Sequence, residues 1–428
     1  MLRVKTDKIV PGGRVVARLD DGRVCFVLGA LENEVVEAVI TKKKRSYIEA
    51  IAANVLEPSM HRVSPKDDAY LSTSPWQVVA FKRENELKTQ MIRDVFDQQG
   101  IKLPDFDVKS DGEEWAYRNK MEFSFWWSPE TDKVDLAFYK RGSNSKIVVD
   151  GSSLAPECIN EAAREFIAQV NELGIRAGDM KSIVFRSSAQ GQVVASLFVK
   201  TELDSLTKID LSIQGFEIWL SDKRSPASVR TKLLKMQGDT TLTDDIFGKT
   251  FAYGVNSFFQ INVPMYELAL KDIRASLLVN QPAIDMFSGV GSIGLSVSKS
   301  PVLIELDNDS VSYARQNADA SAEVLHMPSE KALDVVVEEI NLIVDPPRAG
   351  LNKKLLTKIC EVRPRRLIYM SCDAATHARD VSALIEAGYS LDSFNAYNFF
   401  PKTPHTETLA VLTRSDRMNS HGNKEQDS

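Results

Sequence analysis

Cysteine is scarce in this chain of 428 residues. There are four, Cys25, Cys158, Cys360 and Cys372, far apart and without a C-x-x-C pair. That argues against a disulfide framework and a structural zinc site, and suits a reducing, cytoplasmic compartment. Long hydrophobic runs are also missing. No stretch approaches the roughly 18 consecutive apolar residues of a membrane span, and the start, Met1-Leu-Arg-Val-Lys5, lacks the apolar core of a secretory signal. Neither sign of charge dominates. The net charge of −6 argues weakly against a nucleic-acid partner, yet residues 1–56 hold ten Lys or Arg against seven Asp or Glu. Four of those cations, Lys42 to Arg45, share one expected loop, where solvation explains them as well as RNA contact does.

What is present is ample apolar material, 43% hydrophobic residues, over a length that calls for two or three domains. Residues 1–57 read as five short strands of a small barrel. Pro11-Gly-Gly13 and Asp20-Asp-Gly22 are turns, and 23–28 and 35–40 are strand-like runs. Cys25 falls inside one such strand and reads as packing. Residues 58–97 form a connector, punctuated by Pro58, Pro65 and Pro75, and a helix over 82–97.

Residues 98–250 predict a β-rich central domain with one helix over 157–173. Its aromatics (Trp115, Tyr117, Phe123, Phe125, Trp126, Trp127, Phe138, Tyr139) alternate with Arg118, Lys120, Lys140 and Arg141. Aromatics beside cations can stack RNA bases, and the same pattern also describes a strand core with charged outer positions. From 251 to 415, strands at 283–287, 302–306, 342–344 and 367–370 alternate with helices at 309–320, 353–362 and 375–387. That is an α/β, doubly wound parallel sheet, which binds ligands outside the carboxyl ends of its strands. Residues 416–428 are polar, without apolar periodicity, and are expected to be disordered.

Two motifs fall on that sheet. Gly289, Gly291 and Gly294 spell G-x-G-x-x-G between a strand and a helix, and Glu305 closes the next strand. Alone this is a dinucleotide fingerprint, and an NAD-dependent oxidoreductase is one reading. Asp285, just before the turn, favours an amine-bearing or positively charged ligand over a pyrophosphate, which points to S-adenosylmethionine. Asp345-Pro-Pro-Arg348 ends another apolar strand, where the prolines halt the ladder and stiffen the backbone. Arg348 stands where methyltransferases acting on exocyclic amines usually carry an aromatic residue.

Cys372 ends a further strand, in Tyr369-Met-Ser-Cys-Asp373. A thiol beside a cofactor crevice suits covalent attack on the substrate. Carbon 5 of uracil is a poor nucleophile until a thiolate adds at carbon 6 and turns the ring into an enolate. After methyl transfer a base must take the carbon 5 proton, and His405 and Glu407 are both candidates. Cys360 lies on the apolar side of a helix and reads as core.

Together these residues resemble the RNA uracil-5-methyltransferases of transfer and 23S ribosomal RNA, over nearly the whole chain. The resemblance implies a class I, Rossmann-like methyltransferase domain and an RNA-binding central domain. It also implies an N-terminal OB-like TRAM barrel, carried by Gly12-Gly-Arg-Val-Val-Ala-Arg18 and Phe26-Val-Leu-Gly-Ala30. By the same resemblance Gln260, Phe287, Glu305 and Asp345 contact S-adenosylmethionine, Cys372 is the nucleophile and Glu407 the base. A flipped uridine in ribosomal RNA is the first expectation and transfer RNA the second, acted on by a monomer without membrane contact; a catalytically inactive RNA-binding homologue is the other alternative. Three departures stand out. Relatives that carry an iron–sulfur cluster have cysteines where this chain has none in 63–77 and Ser152-Ser153 later, so no cluster and no metal are expected. Asp373-Ala374 replaces the family's Asn-Pro, and Pro328 replaces an acid near the adenine.

Overall fold

The computed structural model describes residues 1–415; the tail expected to be disordered, 416–428, lies outside the described residues. Strands Leu2–Val10, Arg14–Arg18, Val24–Leu28, Val35–Lys43 and Tyr47–Glu57 close into a barrel, in the order first, second, third, fifth, fourth. The third and fifth are parallel, and every other pairing is antiparallel. This is the small barrel expected from the turn spacing. Alternate residues fill it, including Val15, Ala17, Cys25, Val27, Val36 and Ala38. Lys42 and Lys43 belong to the end of a strand, so the basic cluster is only partly a loop.

Helix Phe81–Gln98 follows, burying Leu87, Met91, Ile92, Val95 and Phe96 at helical spacing. It packs against helix Ala374–Glu386, and the short strand Val108–Lys109 pairs with Tyr389–Tyr397. This segment thus builds one edge of the catalytic domain.

The central sheet has seven strands. Its order is Lys232–Gly238, Gly215–Leu220, Val193–Val199, Met180–Ser187, Lys120–Ser128, Lys133–Tyr139 and Lys146–Val148. Helix Glu157–Glu172 packs Ile159, Ala163, Phe166 and Val170 on one face. The aromatic residues divide between the two roles open to them. Phe123 and Phe125 are core, and Phe138 stacks on Phe123 at 5.2 Å, whereas Trp126, Trp127 and Tyr139 are exposed. A hairpin, Thr241–Ile246 with Lys249–Gly254, carries Leu242, Ile246, Phe251 and Tyr253 into the catalytic core.

The catalytic sheet runs Glu323–His326, Val302–Glu305, Ala283–Met286, Asn341–Val344, Arg366–Ser371, Glu407–Arg414, Tyr389–Tyr397, Val108–Lys109. The first five strands are parallel, as expected. Glu407–Arg414 is antiparallel to both neighbours, so the sheet ends in a reversed hairpin that the parallel reading did not include. The order switches direction between Ala283–Met286 and Asn341–Val344, which places a ligand crevice outside their carboxyl ends.

Candidate active site

The glycine turn leaves strand Ala283–Met286 under backbone constraint. Phe287 has φ +66°, Gly289 +55° and Gly291 +85°. A non-glycine residue in the left-handed region is costly and tends to mark a functional turn. A side chain on Gly289 would meet the Phe258 ring and carbonyl at 3.2 Å, and one on Gly294 would meet Leu303 at 2.5 Å. The glycines thus allow backbone and helix to approach closely.

Asp285 lies near the end of that strand. It is fully buried beneath the turn, and its Oδ2 accepts the Gly294 amide at 2.8 Å. Burial above all, and then the charges of Asp345 and Glu305, push its carboxyl up to about 8. Its Oδ1 is buried without a hydrogen-bond partner, so one oxygen holds the turn and the other stays open.

Glu305 sits at the next strand end, half-buried. Its Oε2 accepts the Gly289 amide at 2.8 Å, and Oε1 takes the Leu306 and Asp307 amides at 2.7 Å. Gln260 is only 7% exposed, and its carbonyl accepts Asn119 Nδ2 at 3.1 Å. The segment leading to it is fixed by Arg186, a wholly buried guanidinium donating to the carbonyls of Gly254, Ser257 and Phe259 at 3.1, 2.7 and 2.6 Å. Arg186 also stacks over Tyr253, its carbon 4.6 Å from the ring centroid. No local signal in the sequence marks Arg186, because its partners lie about 70 residues away.

Asp345, Arg348, Cys372 and Glu407 converge at neighbouring strand ends. Burial pushes Asp345 up to about 7. Cys372 is pushed up to about 12, by burial first and then by Glu407 and Asp345, with Arg348 opposing. Glu407 is 3% exposed and its Oε2 has no hydrogen-bond partner. Burial, and then Asp345, hold its carboxyl well above the usual range while Arg348 pulls the other way. Three acidic groups therefore share a site that tolerates little negative charge. Added positive charge would favour their ionised forms.

The second candidate base, His405, turns Nε2 toward Arg348 Nη2 at 3.4 Å. Burial first, then Arg348, Lys88, Arg141 and Arg118, push it down to about 4, so it stays neutral. Asp373, at the family's Asn position, caps helix Ala374–Glu386: Oδ1 accepts the Ala375 and Thr376 amides at 3.1 and 2.9 Å. Asparagine would cap equally well. Cys372 thus lies beside a helix N-terminus, whose dipole favours a thiolate.

The loop before Glu407 hangs on a buried polar cluster that the sequence did not announce. Lys88 Nζ donates to Glu84 at 2.8 Å, Asn398 Oδ1 at 2.6 Å and the Phe400 carbonyl at 3.1 Å. Glu84 also accepts Asn398 Nδ2 and the Lys402 amide, both at 3.0 Å. From the barrel side, Gly13 (φ +76°) lies so close to Pro404 that an added Cβ would meet it at 2.7 Å. The barrel turn therefore packs on the catalytic loop, and both line a cavity of about 130 Å³ beside Cys372.

The segments where some relatives hold an iron–sulfur cluster meet here without thiols. Ser153 donates from Oγ to Asp67 Oδ2 at 2.9 Å, and its amide donates to Asp67 at 3.1 Å. Gln77 Nε2 donates to Asp67 at 2.9 Å and Ser74 Oγ at 2.8 Å, while Gln77 Oε1 accepts the Lys66 and Asp67 amides at 2.9 and 3.0 Å. These oxygens and amides satisfy one another, so the donor set does not fit a cluster that requires thiolates. Among the described residues, no group of three or more His, Cys, Asp or Glu is placed to hold a metal ion. Nor is any helix long and apolar enough to cross a membrane.

Comparison with known proteins agrees with this geometry. The family model described as tRNA (uracil-5-)-methyltransferase matches residues 80–415. A Thermotoga maritima protein described as an RNA methyltransferase is 25% identical, over 97% of this chain and 99% of its own. An Enterococcus faecalis protein with the same description is 25% identical over 97% of both chains. Among solved structures, Pyrococcus abyssi tRNA (uracil-54, C5)-methyltransferase in complex with S-adenosyl-L-homocysteine shares the fold. Its TM-score is 0.76 and its identity 20%, across 96% of this chain and all of that one. The chain belongs to the tRNA (uracil-5-)-methyltransferase family, and its catalytic domain is that of an S-adenosylmethionine-dependent RNA methyltransferase.

Proposed function

We propose that this protein methylates carbon 5 of a uridine in structured RNA through a covalent adduct. The observation that carries the reading is the meeting of Cys372, Glu407, Asp345 and Arg348 at the strand ends beside the glycine turn. When bound, S-adenosylmethionine supplies a methyl group on a positively charged sulfur. Gln260, Phe287, Glu305 and Asp345 would hold it. The Cys372 thiolate adds to carbon 6 of the uracil, and the ring electrons pass into an enolate. Carbon 5 takes the methyl group as the methyl–sulfur bond breaks, and the sulfur leaves as a neutral thioether. Glu407 carboxylate then removes the carbon 5 proton, and the restored enolate expels the Cys372 thiolate. The adduct requires an unstacked uridine, since carbon 6 is shielded within a helix.

Ribosomal RNA is the first substrate class, on the strength of the barrel at residues 1–57. Transfer RNA is the second, favoured by the Pyrococcus abyssi protein that shares this fold. Nucleoside mass spectrometry decides both points. RNA from cells lacking the gene is incubated with S-adenosylmethionine and either wild-type protein or Cys372→Ala, with ribosomal and transfer fractions kept apart. 5-Methyluridine returning in one fraction with wild type alone supports the chemistry and identifies the class. No product in either fraction, with cofactor binding intact, overturns it.

A further inference from the structure

Segment 117–120 bridges the loop before Glu407 and the segment that carries Gln260. At one end the Tyr117 hydroxyl donates to the Pro401 carbonyl at 3.0 Å. At the other, Asn119 Nδ2 donates to the Gln260 carbonyl at 3.1 Å, and the Asn119 amide to the Ile261 carbonyl at 3.1 Å. Arg118 and Lys120 are thereby held between the residues that carry the base and those that meet the cofactor. Both are half-buried. Arg118 donates from Nε to the Lys120 carbonyl at 3.1 Å, and its guanidinium lies beside the Tyr117 hydroxyl. Neither the Arg118 guanidinium nor the Lys120 ammonium is paired with a carboxylate among the described residues.

The surrounding charge makes this unusual. Arg186 is fully buried nearby and bonded to carbonyls alone, and Arg230 is committed to Asp309. The nearest acid, Glu122, accepts a hydroxyl from Ser228. Burial, then Arg186, push the Lys120 ammonium down to about 7, with Glu122 as the only opposing carboxylate. A chain of net charge −6 has acids to spare elsewhere. Two half-buried cations on one segment, neither paired with a carboxylate, are incomplete without an anion.

We propose that Arg118 and Lys120 form a phosphodiester-binding subsite that grips the RNA backbone next to the target uridine. The proposal rests on the RNA reading above and extends it to a named contact. The paired terminal amines of a guanidinium match two phosphate oxygens, and the ammonium adds a point charge. A phosphate held there fixes the backbone on which the base swings outward, between Gln260 and Cys372.

The test uses the full chain with a single-stranded oligouridylate, followed by fluorescence anisotropy across a KCl series. Arg118→Met and Lys120→Met are each expected to weaken binding about tenfold and to reduce the salt slope by about 0.7 per lost phosphate contact. Arg118→Lys should recover part of the slope, and S-adenosylmethionine binding should match wild type in all variants. Unchanged slopes with folded variants overturn the subsite. A uniform loss of affinity with an unchanged slope overturns it too, since that is the mark of a structural role. Should Arg118→Met fail to bind cofactor, Lys120→Met alone decides. Methylation of RNA from cells lacking the gene, by the same wild-type preparation, separates this result from the function: product with unchanged slopes sinks only the subsite, and no product sinks the function.

Discussion

The Ser153 hydroxyl donates to Asp67 Oδ2 at 2.9 Å, joining positions 86 residues apart. With Gln77 and Ser74 it stitches the connector after the barrel to the start of the central helix. Asp67 accepts from three groups there, and none has another carboxylate to turn to.

Asp67→Ala should therefore strip the Ser153 amide of its acceptor and Gln77 Nε2 of one of its acceptors. The expected loss is about 1–3 kcal/mol of stability. Urea denaturation measures it. An iron chelator should leave the wild-type curve where it was, and a chelator-sensitive transition would refute the hydrogen-bonded account.

Glu407→Gln keeps the shape of the base and removes its proton-accepting charge. Methylation turnover should fall about 10²- to 10⁴-fold. Because addition of Cys372 precedes the step that Glu407 serves, a protein–RNA adduct should accumulate and survive a denaturing gel. The double variant with Cys372→Ala should show no such band. Normal turnover in Glu407→Gln would return His405 to consideration.

Glu84→Ala leaves the buried Lys88 ammonium facing only Asn398 and a carbonyl, and frees the Lys402 amide. Breaking a buried pair from one side costs about 3–5 kcal/mol. The loop ahead of Glu407 should loosen with it. We expect kcat to fall while the Kd for S-adenosylmethionine holds, as read by turnover and calorimetry on the folded fraction.

The Asp285 carboxyl is raised from 3.8 to about 8 in the folded chain. Between those values the native state holds a proton that the unfolded state has released, so stability falls as pH rises through the window. Asp285→Asn removes that titration. Its urea midpoint should change less than wild type between about pH 5 and about pH 8. An equal decline in both proteins would show that Asp285 does not govern the slope.

Much of this architecture was legible because its signals are local. The helix expected over 82–97 spans Phe81–Gln98, and the one expected over 157–173 spans Glu157–Glu172. Apolar periodicity and flanking turns are enough for such elements. The glycine turn and Asp345-Pro-Pro-Arg348 were equally plain, since each has a fixed place on a parallel sheet. What escaped is what depends on distant partners. The buried cluster of Glu84, Lys88, Asn398 and Lys402 joins positions more than 300 apart and leaves no period in the chain. The Asp285 contact with the Gly294 amide was equally hidden, since adjacency to a turn says nothing about which face of the strand a side chain takes. The last two strands of the sheet were hidden because segment 400–407 draws attention as a motif before it reads as the start of Glu407–Arg414.

The strand Val108–Lys109 also has a bearing on how the molecule is made. It is synthesised early, and its only pairing is with Tyr389–Tyr397, near the end of the described chain. Helix Phe81–Gln98 is in the same position, since its buried face meets helix Ala374–Glu386. On the ribosome, the barrel and the central sheet can close as their residues emerge and cover Leu87 and Met91, while the side of this early helix bearing Ile92, Val95 and Phe96 must wait uncovered. Completion of the catalytic domain is thus deferred to the last segments translated, and a truncated product would expose a greasy helix together with a cysteine-bearing strand that has no hairpin to cover it.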